Sequence, residues 1–250
     1  MLILLPPSEG KTGRARGKPH DPAALAFPTL AAARAEVAAT LADVSARPDA
    51  AAVLGVSPAL TEDIARNTRL AQAPGVRAGA LYSGVLYDAL GYATLDPAAR
   101  RRANRRLVVV SALYGAVRPT DVLAPYRLSM GAALPGLGRL ASFWRPHLDE
   151  ALPAAVGRGV IVDGRSSTYA AAWSPRGAHA ERWVHVRVPG ATHMAKHTRG
   201  LVARYLCGVE GDVATPSALA EVLTGAFDVA LEPPARAGTP WVLQTRVLPA

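Results

Sequence analysis

Arg106–Gly131 reads RLVVVSALYGAVRPTDVLAPYRLSMG. Its opening carries LVVV, a β-branched run of strand length with charge on one side and turn residues on the other, so Arg106–Ser111 is expected to be a central buried strand. Ser111–Arg118 then lies where the chain leaves a sheet, which is where α/β proteins place ligand-facing loops. Arg118-Pro119 and Pro125-Tyr126-Arg127 set two arginines beside prolines that fix the backbone. Asp121 and the Tyr126 hydroxyl are partners that orient them, an arrangement suited to an anion. An internal Arg118–Asp121 ion pair stitching a long loop explains the same residues equally well.

Outward from this stretch, strands and helices interleave. Leu2–Leu5 reads as a short buried strand stopped by Pro6 and Pro7, and Ser8–Pro22 as an exposed or ligand-facing loop. Ala23–Ala46 has helical spacing at Leu30, Val37, Leu41 and Val44; two short helices about a tight turn are expected within Asp49–Gln72, and another helix over Leu81–Leu90. Downstream, Gly159–Asp163, Arg182–Val188, Phe227–Leu231 and Trp241–Leu248 read as strands. Leu140–Ala155, His193–Leu206 and Thr215–Leu223 read as helices, the last with Ser217 as N-cap. The expectation is a mixed α/β fold, one domain over 1–250, with a central mostly buried sheet flanked by helices and a helical subregion at 45–75. No Gly-x-Gly-x-x-Gly follows a strand, so a doubly wound nucleotide-binding pattern is not expected.

Composition narrows the class. The chain has 250 residues, half of them hydrophobic, enough for a substantial core. A single cysteine, Cys207, excludes an internal disulfide and a cysteine-based zinc cluster, and fits a reducing compartment. The N-terminal apolar run is too short for a signal-peptide core and no segment is long enough to span a membrane, so a cytoplasmic location is expected. Lys+Arg exceed Asp+Glu by 28 − 19 = 9, and lysine occurs only at 11, 18 and 196. Arginine pairs phosphates in two-point fashion, which favours an anionic partner. A genome biased toward Arg, Ala, Gly and Pro codons explains arginine over lysine without invoking function.

Other motifs divide the same way. Gly10-Lys11-Thr12 invites a phosphate-loop reading, but Leu5 stands where the first glycine belongs and Pro6 and Pro7 lack N–H groups, so an ATPase loop is rejected. Ser8, Lys11 and Thr12 remain candidates to touch an anion at a strand end, with a solvated loop as the alternative. Arg100, Arg101, Arg102, Arg105 and Arg106 are either a polyanion-binding run or a solvated helix end. His193 and His197 have metal-pair spacing, but Met194 replaces the glutamate of a His-Glu-x-x-His site and nothing completes the set; no metal or other cofactor is expected. Asp163–Tyr169 follows a buried strand, and its hydroxyls either form turns or share the cleft of the Arg118 loop.

The pattern Tyr-Gly-x-x-Arg-Pro-x-Asp followed by Pro-Tyr-Arg-Leu-x-Met-Gly, from Tyr114 to Gly131, resembles the signature of the YaaA family of peroxide-stress proteins. Phe143-Trp144 follows where that family carries Phe-Trp; the opening LILLPPSEGKT and KHTRGLVARYL (Lys196–Leu206) also resemble family blocks, with Glu9 and Gly10 lengthening the first turn. Leu54–Asn67, LGVSPALTEDIARN, resembles a helix-hairpin-helix, with Gly55 and Val56 in the turn, Ser57 where a second glycine is usual, and Leu60 and Ile64 on the apolar face. Arg66 and Arg69 are then candidate DNA-phosphate contacts, which position rather than specify sequence.

The resemblance implies a YaaA-like fold and a peroxide-stress protein that binds double-stranded or branched DNA and protects indirectly. The alternative is an enzyme acting on a small phosphorylated or nucleotide-like substrate. Its cleft would combine Ser8, Lys11, Thr12, Tyr114, Arg118, Asp121, Tyr126, Arg127, Lys196 and Arg199. An enclosed pocket around Lys11 and Arg127 favours the enzyme, and an open basic groove favours DNA. Catalytic residues and oligomeric state are left open.

Overall fold

The computed structural model describes residues 1–190 and 192–248. Its strands, in chain order, are β1 (Leu2–Leu5), β2 (Val76–Arg77), β3 (Leu107–Ser111), β4 (Gly115–Val117), β5 (Val122–Leu123), β6 (Ala133–Leu134) and β7 (Gly138–Arg139). They continue with β8 (Ile161–Asp163), β9 (Trp183–Arg187), β10 (Phe227–Glu232) and β11 (Trp241–Val247). One sheet runs in the order β10-β11-β9-β8-β1-β3-β4, and β2-β5 and β6-β7 are small separate ladders. Within the sheet β3, β1, β8, β9 and β11 are parallel neighbours, while β4 and β10 pair antiparallel at the two edges. In register, Ile3 of β1 faces Leu107 on one side and Val162 on the other. Every residue of β1, β3 and β8 is buried, so both faces of the sheet are covered, as a parallel core requires. Each β1 side chain, at most 1 % exposed, contributes about 2 kcal/mol by burial.

Two expectations change. The LVVV strand is buried but not central: it lies second from an edge, with the N-terminal strand beside it. The five parallel strands also follow the doubly wound order 2-1-3-4-5, although no glycine fingerprint marks it. A fingerprint describes one loop chemistry, whereas strand order is set by which strands pair across long sequence separations. The switch point of this order falls between β1 and β8. Loops after these strands, Pro6 onward and Gly164 onward, therefore flank the crevice where such sheets bind ligands.

Glycine and proline shorten several expected helices. Pro28 and a left-handed Phe27 (φ 61°) restrict the long helix of Ala23–Ala46 to Ala31–Ser45. Gly84 (φ 97°) divides Leu81–Leu90 into Ala78–Leu81 and Val85–Leu90. Leu140–Ala155 separates into Leu140–Ala151 and Pro153–Val156. Helix Pro216–Leu223 is capped by Thr215, whose side chain accepts from the Ala218 N–H, and not by Ser217. The helix Thr192–Gly208 packs chiefly on Val85–Leu90 and then on Pro97–Arg106. Among the described residues no helix is long and apolar enough to cross a membrane.

After β3 the chain turns back as β4, and this reversal positions the loop that follows. Gly115 sits at the turn with φ +68°. A Cβ there would come within 2.6 Å of the Trp144 ring. Trp144 is fully buried and its indole N–H donates to the Ala112 carbonyl at 2.8 Å, so glycine and tryptophan interlock. Gly115→Ala combines a left-handed backbone with that clash and is expected to lower unfolding free energy by about 2–4 kcal/mol in urea titrations. A change below about 1 kcal/mol would show that the tryptophan yields freely.

Candidate functional site

A platform of tyrosines covers the ends of β1 and β3. Tyr126 is buried, with its hydroxyl 2.7 Å from Ser111 Oγ at the end of β3 and 3.4 Å from the buried Tyr82 hydroxyl. Ser111 Oγ also accepts from the Tyr114 N–H at 3.0 Å. The loop after β1 is bonded to the neighbouring helices. Tyr87 donates to the Pro6 carbonyl at 2.7 Å, the Ser83 N–H donates to Ser8 Oγ at 3.0 Å, and the Thr12 N–H donates to the Leu81 carbonyl at 2.8 Å. Ser8 itself donates to the Gly10 carbonyl. The resulting turn presses Lys11 onto the rings: Nζ lies 4.2 Å from the Tyr126 centroid and 5.8 Å from that of Tyr82.

Lys11 Nζ donates to the Ser8 carbonyl at 2.8 Å and the Glu9 carbonyl at 3.5 Å. Burial pushes its amine down to about 7, helped by the Arg127 charge, against the opposing influence of Glu9 and Asp63. The Glu9 carboxylate instead meets Arg127, at 3.3 Å. Burial raises Tyr82 and Tyr126, so both phenols stay protonated. Burial also raises Tyr169, in the loop after β8.

The two short helices expected within Asp49–Gln72 are Ala50–Leu54 and Thr61–Arg66, a helical hairpin with a left-handed Gly55 (φ 64°) ending the first. The Gly55 and Val56 N–H groups cap the first helix through the Ala52 and Ala51 carbonyls, and Ser57 Oγ accepts from Ala59. Side chains, not these two turn amides, are therefore the donors left for an anion. Arg66 and Arg69 meet Arg14, Gln72 and Pro125 around an open cavity of about 490 Å3. Arg66 also pairs with Asp63 at 2.9 Å.

Asn67, a residue that the sequence reading gave no role, ties the hairpin to the Tyr126 loop. It is fully buried; its Oδ1 accepts from the Arg127 N–H at 2.8 Å and its Nδ2 donates to the Arg127 carbonyl at 2.9 Å and to Ser45 Oγ at 3.1 Å. A single asparagine in a hairpin carries no sequence signal for a partner sixty residues away. Arg14 is equally unmarked, inside a loop expected as a whole to be exposed or ligand-facing.

Other candidates stand apart. The Arg118 guanidinium donates to the Arg105 and Leu107 carbonyls and stacks 5.3 Å over Phe27. Asp121 accepts from the backbone N–H groups of Arg118 and Ala26, so these two residues stitch the loop without forming a side-chain ion pair. Tyr114 exchanges hydrogen bonds with the Ala124 backbone. Arg199 donates to the Val186 carbonyl and Lys196 is exposed; among the described residues no hydrogen bond or ion pair joins either to Lys11. In the basic run, Arg100, Arg102 and Arg106 bond backbone carbonyls, the latter two at the end of helix Thr192–Gly208. The Asp163–Arg165 pair is fully buried and bidentate, with Arg165 also bonded to the Trp173 carbonyl and Trp183 to Asp163. It fixes the loop after β8.

Fold and site define an α/β protein with a mostly parallel sheet in doubly wound order, and an arginine-lined cleft beside the loop after β1. A family profile described as peroxide stress protein YaaA matches residues 1–230. A UPF0246 protein of Streptomyces coelicolor is 45 % identical over 99 % of this chain and 98 % of its own length. A UPF0246 protein of Corynebacterium efficiens is 39 % identical over 90 % and 93 % respectively. The chain belongs to the YaaA peroxide stress protein family.

Between pH 7 and 10.5 an unfolded Lys11 keeps a proton that the folded chain has released, so its contribution makes stability rise with pH across that window. Below it, Lys11→Met is expected to stabilise the protein by about 2–4 kcal/mol, and the gain should shrink toward pH 10.5. A pH-independent difference between the two proteins in urea unfolding contradicts the buried amine. Asn67→Ala is expected to cost about 2–3 kcal/mol in the same assay, because it strands the Arg127 backbone groups. A loss under about 1 kcal/mol would mean that hairpin and loop are energetically independent.

Proposed function

We propose that the protein binds DNA, double-stranded or branched, across the cleft between the hairpin and the loop after β1. The observation that supports this most directly is the convergence of Arg14, Arg66 and Arg69 from two distant segments on one open cavity. Phosphate contacts of this kind give affinity and position, with little sequence information. The hairpin resemblance and the net charge of +9 point the same way.

Protection from peroxide is then indirect, by occupying or marking DNA. The Cys207 thiol is buried and pushed up to about 12, mainly by that burial, which leaves it without the thiolate that reacts with peroxide. A cytoplasmic location goes with this reading. A second reading, an enzyme on a small phosphorylated substrate, draws on Lys11, held against two tyrosine rings with its amine lowered by burial and by the Arg127 charge.

Titrating duplex, single-stranded and branched DNA over a salt series tests the proposal. Affinity is expected to fall steeply with salt, and Arg66→Ala/Arg69→Ala to reduce the log–log slope by about two. Absence of binding at low salt ends the DNA reading. Unchanged binding by the double variant removes the hairpin from it.

A further inference from the structure

Lys11 is held in a way that suits chemistry better than charge pairing. Among the described residues no carboxylate lies within ion-pair reach of it, Glu9 being engaged by Arg127 and Asp63 by Arg66. Its contacts are two backbone carbonyls and two tyrosine rings. A neutral amine has two N–H bonds, matching the two carbonyls, and one lone pair left over. A purely structural lysine would normally send its head group to water or to a carboxylate.

Its place in the fold adds a direction. Lys11 follows β1 at the switch point, where doubly wound sheets bind ligands. Two residues later Gly13 lines the arginine cavity, and so does Pro125, the neighbour of the tyrosine on which Lys11 rests. The amine therefore adjoins a place for phosphates. Amines so placed attack carbonyl carbon. A carbonyl with a phosphate on either side occurs in DNA where a base has been lost and the deoxyribose opens to its aldehyde. That sugar has no base to hold it in the stack, so swinging it into a pocket costs little. Oxidative damage to DNA is a chemical source of base loss, which is consistent with the peroxide-stress description of the family.

We propose that Lys11 forms an imine with the aldehyde of an abasic deoxyribose in bound DNA, while the cavity arginines hold the adjoining phosphates. This rests on the DNA-binding reading above. The Nζ lone pair adds to the aldehyde carbon, the carbonyl oxygen takes up the proton that nitrogen releases, and the carbinolamine loses one water. Amine plus aldehyde gives imine plus water, with no change of oxidation state and no co-reactant. The charges facing Lys11 are Arg127 and Arg66, which favour the free amine, and Glu9 and Asp63, which oppose it; Tyr82 and Tyr126 remain neutral. Imine formation should accordingly rise to about pH 7 and then level, whereas an ordinary lysine would gain up to about 10.5.

The test incubates the full chain with an end-labelled duplex carrying one abasic site, reduces with borohydride, and reads covalent adduct on a denaturing gel. Digestion and mass spectrometry of the wild-type adduct then locate the modified residue. With only Lys11, Lys18 and Lys196 in the chain the assignment is clean, and it does not depend on a variant that folds. The expected result is an adduct on the Lys11 peptide that Lys11→Arg loses and that excess glyceraldehyde 3-phosphate does not suppress. An adduct on another amine overturns the proposal, as does modification of Lys11 by the small aldehyde but not by DNA. Intact-duplex binding without any adduct overturns it while leaving the DNA reading in place. No binding to either duplex removes both.

Discussion

Tyr126 fixes where the loop after β1 meets the chain that leaves β3. Its buried hydroxyl bonds Ser111 at the end of β3, and its ring supports the amine of Lys11 from the loop after β1. For both contacts to exist, the chain leaving β3 must come back across the ends of the strands. That return needs the reversal at Gly115 under Trp144 and the stitching of Arg118 and Asp121. The hairpin is drawn to the same point, because Asn67 spends its amide on the Arg127 backbone. Residues that look in sequence like a ligand-binding motif are therefore largely the scaffold that presents other residues.

Counting where arginines end changes what the charge means. Arg34, Arg102, Arg106, Arg118, Arg182, Arg199 and Arg204 all donate to backbone carbonyls, Arg34 and Arg106 from buried positions. Guanidinium groups used this way satisfy carbonyls that would otherwise be stranded at helix ends and loop crossings. A net charge of +9 thus overstates the surface available to a polyanion. Arg14, Arg66 and Arg69 matter because they converge on an open cleft.

The layers of the fold were legible because buried parallel strands are written as unbroken apolar runs, such as Leu2–Leu5 and Leu107–Val110. Strand order was not, since the pairing of β1 with β8 joins segments more than 150 residues apart and leaves no local mark. The site was legible in part. Lys11, Tyr126 and Arg127 stood out by their proline and glycine neighbours, and the structure brings them together. Arg118 and Asp121 carried the same kind of signal, yet their polar groups turn inward to backbone atoms. Sequence shows that a backbone is being held; it does not show whether the holder is also the ligand contact. Asn67 and Arg14 gave no signal, because their importance depends on partners that only the fold supplies.

The choice of lysine at position 11 carries its own argument. In a chain with 25 arginines and three lysines, whatever bias favours arginine acts at every exposed cation. A guanidinium resists deprotonation, whereas an ammonium desolvated by burial releases its proton more readily. Placing a lysine there, without a carboxylate to neutralise it, lowers stability for as long as it is charged. Nothing in the packing requires that cost, since a methionine of similar length would fill the space over Tyr126. An anion-binding role alone would be served at least as well by arginine, the residue that lines the neighbouring cavity at positions 14, 66 and 69. What distinguishes lysine at this one point is access to a lone pair, and the switch-point crevice is where a fold of this order brings a ligand to meet it.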